Sequence, residues 1–177
     1  SGLKPILPRT PFWTGLDAAY RLCVEQELTA EPGTSYRYSD INFILLGELI
    51  ERVSGEPFED FVQEQIFQPL GMRDTGFLPP ADKIERIAPT EYWRGRMLHG
   101  EVHDPSANQM EGVAGHAGLF STALDLARFA QMLLNEGELN GVRVFKSETV
   151  RLMTQTAAPA ASGVNRGLGW DIDSAYS

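Results

Sequence analysis

The sequence predicts a mainly helical fold with a small β-hairpin, and three observations carry that expectation. Apolar residues recur at helical spacing in four segments, between Leu16 and Leu28, Ile41 and Val53, Pro57 and Phe67, and Thr122 and Leu134. Capping residues and glycines bracket these segments where helices should start and stop. Between Gly71 and Gly115 the helical period disappears, and two β-prone runs flank Arg94-Gly95-Arg96.

The elements follow in order. The first segment, to Trp13, carries Pro5, Pro8 and Pro11 and should run extended over the surface. Thr14 and Asp17 resemble a capping box, opening a helix to about Leu28 with Leu16, Ala19, Tyr20 and Cys23 on its buried face. Pro32-Gly33 fits the centre of a type II turn. The helix from Ile41 to Val53 is apolar around much of its circumference, which predicts a central, largely buried position before Ser54-Gly55 stops it. A third helix opens at Pro57, carries Phe58, Phe61, Val62, Ile66 and Phe67, and ends at Pro69. Thr90 to Trp93 and Met97 to His103 read as short strands. Thr122 and Asp125 cap a helix striped by Leu126, Phe129, Ala130, Leu133 and Leu134 and closed by Gly137. Asn140-Gly141 is a hairpin turn signal leading into Val142 to Phe145. Ser147 should cap a short last helix to about Met153. Ala157 to Gly163 is weakly patterned and expected to be mobile, and Gly167 to Ile172 reads as an initial strand.

The 177 residues fit one domain, and 42% hydrophobic with 22% charged residues suits a folded chain with a real core. Net charge is −9, and Glu25 to Glu64 concentrates it, with ten acidic residues against Arg37 and Arg52. An acidic surface gives no electrostatic basis for binding nucleic acid or anionic lipid. One cysteine, Cys23, excludes an internal disulfide framework and a cysteine-based zinc site. No apolar run is long enough to cross a bilayer. The N-terminus lacks an initiator methionine and does not read as a signal peptide, which suggests processing, a tag remnant or a fragment.

Tyr36-Arg37-Tyr38-Ser39-Asp40 carries the most chemistry. A tyrosine just before a helix N-terminus feels the positive end of the macrodipole, which favours its phenolate and could make it a proton acceptor. The same residues also fit a plain structural role, with Tyr38 a packed aromatic and Ser39 or Asp40 the helix cap.

The run Pro32-Gly33-Thr34, Tyr38-Ser39-Asp40, Leu46-Gly47 and Ile50 to Gly55 resembles the serine β-lactamase-like family of class C β-lactamases, D,D-peptidases and esterases. Pro69-Leu70-Gly71-Met72-Arg73-Asp74-Thr75, Gly118 to Thr122 with Asp125 to Phe129, and Gly167 to Trp170 continue the likeness in order. The resemblance implies the helical lobe of the β-lactamase/transpeptidase-like α+β fold, with most of the central sheet outside residues 1–177. Of the family's three motifs, Ser-x-x-Lys, Tyr-x-Asn and Lys- or His-x-Gly, only the second is matched, as Tyr38-Ser39-Asp40. Aspartate replaces asparagine there, and an ionised carboxylate can only accept hydrogen bonds.

Two further matches read as decoys. Ser1-Gly2-Leu3-Lys4 is followed by Pro5, which disfavours the helix that a serine–lysine pair needs, and His116-Ala117-Gly118 precedes a capped helix instead of lying on a strand. By resemblance, His116 and Ala117 stand at the rim of the substrate pocket; the alternative is a loop histidine bonded to backbone. His99, His103 and Asp104 could be combined into a metal site, but their spacing is a weak signal.

The resemblance thus implies a part of a serine hydrolase in which Tyr38 and Asp40 are catalytic and His116 and Ala117 bind substrate. No metal or organic cofactor is needed. The substrate is a small acyl compound: a β-lactam, a peptidoglycan peptide or an ester. Without the other motifs the chain alone is expected to be inactive, and its exposed sheet-facing surface could drive self-association. The compartment stays open, and a periplasmic or secreted parent is compatible. The rival reading is a non-catalytic helical binding domain in which Tyr38 is core and Asp40 a cap.

Overall fold

The computed structural model describes residues 1–158 and 163–172. Its elements are α1 (Leu16–Val24), α2 (Asp40–Ser54), α3 (Phe58–Val62), β1 (Tyr92–Trp93), β2 (Arg96–Met97), α4 (Pro105–Gln109), α5 (Ala123–Leu134), β3 (Glu138–Leu139), β4 (Val142–Arg143) and α6 (Ser147–Thr154). A π-helical turn, Gln63–Phe67, continues α3, and a 3-10 turn spans Ala81–Arg86. β1 pairs antiparallel with β2 and β3 with β4, so the strands make two separate hairpins.

Two apolar clusters organise these elements. The first joins α1 and α2 to the N-terminal segment and α4 through Leu7, Trp13, Ala19, Cys23, Ile41, Ile44 and Met110. The second gathers Val62, Phe67, Leu70, Met72 and Met132, tying the α3 region to α5. Burying an aliphatic or aromatic side chain of this kind contributes roughly 1.5–3 kcal/mol each. The N-terminal segment has no regular structure, as its prolines predict, yet it is anchored by Leu7, which is 1% exposed, and by Trp13, whose indole N–H donates to the Pro8 carbonyl at 2.7 Å.

That anchoring sets the start of α2. The backbone N–H of Asp40 donates to the Pro5 carbonyl at 2.7 Å, and the Ser39 hydroxyl donates to the Lys4 carbonyl at 2.6 Å. α2 ends at Gly55, whose left-handed φ of 78° fits the expected glycine stop. Only one side of α2 is covered: Ile41, Ile44, Gly47 and Glu48 are buried, while Phe43, Leu46, Leu49 and Val53 are exposed. The expectation of a largely buried helix therefore holds for half its circumference.

Other expectations divide similarly. The Pro32-Gly33 turn forms, closed by Thr34 N–H to the Glu31 carbonyl at 3.2 Å, and Thr122 caps α5 by accepting from Asp125 N–H at 3.2 Å. The Asn140-Gly141 hairpin forms as β3–β4. The Thr14 cap does not form, because its hydroxyl donates to the Gln109 carbonyl at 3.0 Å and Gly15 takes the cap position of α1. α1 also stops at Val24, leaving Leu28 outside it and exposed. The strand expected from Met97 to His103 covers only its first residue, and α4 begins two residues after its end. Ser147 is the first residue of α6 instead of its cap. Residues Gly167 to Ile172 form a tight turn in place of the expected strand, with Gly167 N–H donating to the Trp170 carbonyl at 2.9 Å and Arg166 bridged to Asp171. The mobility expected of Ala157 to Gly163 falls mainly on 159–162, outside the described residues.

Candidate active site

Three segments distant in sequence meet at the N-terminal end of α2. Tyr38 precedes the helix and is exposed, whereas Asp40, its first residue, is 8% exposed. Asp104 caps α4, its Oδ1 accepting the Ala107 N–H at 2.8 Å, and Pro105 fills the first helical position. His116 comes from the loop before α5, and its Nε2 lies 2.9 Å from Asp104 Oδ1. A carboxylate oxygen of Asp40, one of Asp104 and a ring nitrogen of His116 all lie within 4.8 Å of one another.

Glycine makes this meeting possible. A Cβ on Gly115 would stand 2.1 Å from the Phe43 carbonyl oxygen, so only glycine lets the loop lie against α2. Facing it is Gly47, where a Cβ would find ordinary contacts at 3.5 Å. The loop is thereby pressed onto α2 one residue before His116.

The electrostatics differ from those the helix dipole alone would set. The Tyr38 phenol is pushed above its ordinary value of 10, foremost by hydrogen bonding to the Asp40 carboxylate, then by desolvation and by the charges of Asp40 and Asp104. Tyr38 is therefore held as a neutral phenol, and the phenolate expected from the macrodipole is disfavoured because a full negative charge outweighs a partial positive one. For Asp104, burial pushes the carboxyl up, but the His116 hydrogen bond and the N–H groups of Ala107 and Ser106 together bring it below the ordinary carboxylate value.

His116 and Ala117 line a cleft of about 820 Å³ with Lys83, Arg86, His103 and Phe120. Tyr38 lines a separate groove of about 360 Å³ with Phe43 and Arg166. The structure thus brings Asp40 and His116 to one cluster with Asp104, with Tyr38 beside Asp40 on a separate groove and Ala117 on the cleft side. The alternative partner for His116, a backbone group, is replaced by the Asp104 carboxylate. Ser39 occupies the cap position of α2 without a side-chain capping bond. His99 bonds the Ile87 carbonyl at 2.7 Å, so the His99, His103 and Asp104 combination does not assemble. Ser1 accepts from the Leu3 N–H at 3.2 Å in a non-helical segment, which removes the geometry a serine–lysine pair would need. Sequence reasoning missed the pairing of Asp104 with His116; Asp104-Pro105 was its one visible sign, as a helix-start signature.

The fold is shared with solved β-lactamase and penicillin-binding-protein structures. The chain superposes on the Yersinia pestis β-lactamase/D-alanine carboxypeptidase with a TM-score of 0.65 and 21% identity, covering 97% of this chain and 49% of that one. It belongs to the Beta-lactamase family, whose profile it matches over residues 1–176. An Escherichia coli K12 relative named "Putative D-alanyl-D-alanine carboxypeptidase" is 38% identical over 162 residues, covering 82% of this chain and 37% of that protein. A Bacillus subtilis N-acetylmuramyl-L-alanine amidase is 35% identical over 159 residues, covering 81% of this chain and 35% of that protein. The chain therefore spans little more than a third of the curated relatives it matches. Among its described residues no helix is long and apolar enough to cross a membrane.

Proposed function

We propose that this chain is the tyrosine-bearing helical part of a serine hydrolase that cleaves amide bonds of peptidoglycan-type peptides through an acyl-enzyme, the serine and lysine coming from outside these residues. The observation that carries the reading is the placement of Tyr38 and Asp40 at the head of α2, beside the His116 end of the cleft. Relatives named carboxypeptidase and amidase support an amide substrate. Asp40 supports it too, because a carboxylate at the asparagine position accepts from a substrate N–H.

In this mechanism the serine oxygen attacks the carbonyl and its proton passes to the lysine. The neutral Tyr38 phenol gives its proton to the departing amine as the C–N bond breaks. Water then attacks the acyl-enzyme, its proton returns to Tyr38, and the lysine reprotonates the serine. His116 and Ala117 border the acyl pocket, and the open side of α2 at Phe43, Leu46 and Leu49 packs against the segments that complete the domain. In the absence of those segments the same face supports self-association.

The test is Tyr38→Phe in the longer protein that unites this chain with a Ser-x-x-Lys segment. The rate of acyl-enzyme formation should fall by roughly 10²–10⁴ with little change in melting temperature. A mutant that acylates normally reduces Tyr38 to packing. The 177-residue chain alone should form no stoichiometric adduct with a penicillin by intact mass; an adduct on Ser1 would overturn the division of labour.

A further inference from the structure

The cluster at the head of α2 carries charge that its own neighbours do not balance. Asp40 is buried and Asp104 half-buried, and their carboxylates face each other within 4.8 Å. Among the described residues, no lysine or arginine forms an ion pair with either; the one basic partner is His116, against Asp104. Two desolvated carboxylates this close favour a cation between them.

His116 alone does not complete the balance. Its side chain is 4% exposed, and Nδ1 is the one buried side-chain nitrogen or oxygen of the described residues with no hydrogen-bond partner. Nε2 is the nitrogen that faces the carboxylates, 2.9 Å from Asp104 Oδ1, so the cluster offers two carboxylates and one imidazole to a common space with no lysine or arginine paired to either carboxylate among the described residues.

We propose that Asp40, Asp104 and His116 form a divalent-cation site, with zinc the ion whose ligand chemistry they fit. Two carboxylate oxygens and an imidazole nitrogen are an established donor set for zinc, which leaves a fourth position open. Tetrahedral ligands at about 2.1 Å from the metal lie ~3.4 Å apart, so side chains already within 4.8 Å need only small rotations to close on an ion. Each ligand stays anchored: Asp40 by the Pro5 carbonyl, Asp104 by the Ala107 N–H, His116 by the Gly115 contact. The site shares Asp40 and His116 with the acyl-transfer reading, yet its occupancy is read by binding on this chain, without turnover, so the failure of one is distinguishable from the failure of the other.

The experiment uses the untagged chain stripped with chelator, titrated with zinc chloride by calorimetry and checked by native mass spectrometry, with manganese chloride as a second arm. One equivalent of zinc should bind. Uptake should weaken at least about tenfold in His116→Gln and in Asp104→Asn, which keeps the helix cap, and stay unchanged in His99→Ala. Circular dichroism of each variant confirms that it folds. No stoichiometric zinc uptake by the folded chain overturns the site, as does uptake that survives both His116→Gln and Asp104→Asn. One equivalent of manganese with none of zinc keeps a cation site and overturns the choice of ion.

Discussion

Two carboxylate clusters, one reaching the 820 Å³ cleft through Asp74 and the other through His116, solve the problem of negative charge in opposite ways. On one side Asp74 pairs with Lys83 at 3.0 Å and Arg86 at 2.7 Å, which hold its carboxyl well below the ordinary carboxylate value. Behind it, Asp125 is buried at 3% exposure, yet its Oδ2 accepts from Asp74 N–H at 2.8 Å and from the Thr75 hydroxyl at 3.0 Å, and Arg128 approaches Oδ1 at 3.3 Å. On the other side Asp40 and Asp104 have no such cation, and a buried histidine nitrogen is left unpaired. A saturated cluster supports the fold, whereas an unsaturated one is the place to look for chemistry.

The largest stability effect should come from breaking the saturated side. Asp125→Ala strands the Asp74 N–H, leaves the Thr75 hydroxyl with Ser121 alone and removes a buried partner of Arg128, so it should cost about 3 kcal/mol by denaturant unfolding. The junction between the Gly71–Gly76 segment and α5 loses its centre, and the bridge between Gly76 and Phe120 should exchange amide hydrogens faster. A loss below about 1 kcal/mol would mean that water replaces Asp125 without strain and that the two clusters are less different than their geometry implies.

The next effect sharpens the other side of the comparison. Gly115→Ala drives a Cβ into the Phe43 carbonyl and should cost about 1–3 kcal/mol through overpacking, while displacing His116 from Asp104. Gly47→Ala on the facing helix meets only ordinary contacts, and alanine suits a helix interior better than glycine, so it should be neutral or stabilising. Comparable losses in both variants would show that the contact between the loop and α2 is not set by Gly115. Paired melting curves decide it.

What the sequence disclosed and what it hid follow the same physics. Elements closed by local signals were legible: the Thr122 and Asp125 cap of α5, the Pro32-Gly33 turn, and the Asn140-Gly141 hairpin. Elements whose bonds run to distant residues were not. Thr14 has the right residue type for a cap, yet Gln109, 95 residues away, takes its hydroxyl. α4 has five residues, too few to display a helical period. Tyr38-Ser39-Asp40 was found as a motif, but the direction in which the Tyr38 phenol moves depends on where the Asp40 side chain sits, which the helix-dipole argument leaves out. His116 was picked out through resemblance, and its carboxylate partner stands twelve positions earlier on another element. Local chemistry places elements; the site is made of their non-local contacts.

The smallest effects test whether the side chain's role as a cap and as the partner of a buried group, more than the number of its ion pairs, sets what each cluster contributes. Asp104→Ala removes a helix cap and a buried histidine's partner and should cost about 1 kcal/mol at neutral pH. Because folding lowers the Asp104 pKa, its contribution is complete above the unfolded carboxylate value near ~3.9 and is lost as pH falls through the lower folded value. The wild-type advantage over Asp104→Ala should accordingly shrink in acid below about pH 4. Asp74 has the greater shift and two cationic partners, yet it is only half-buried and its Arg86 partner is exposed, and solvent and salt screen such pairs. Asp74→Asn retains the backbone N–H that anchors the loop to Asp125, so its melting temperature in physiological salt should match the wild type. An Asp74→Asn protein that melts as far below the wild type as Asp104→Ala does would mean that the Lys83 and Arg86 pairs hold this edge of the cleft together, and that the polar partners of Asp125 do not suffice.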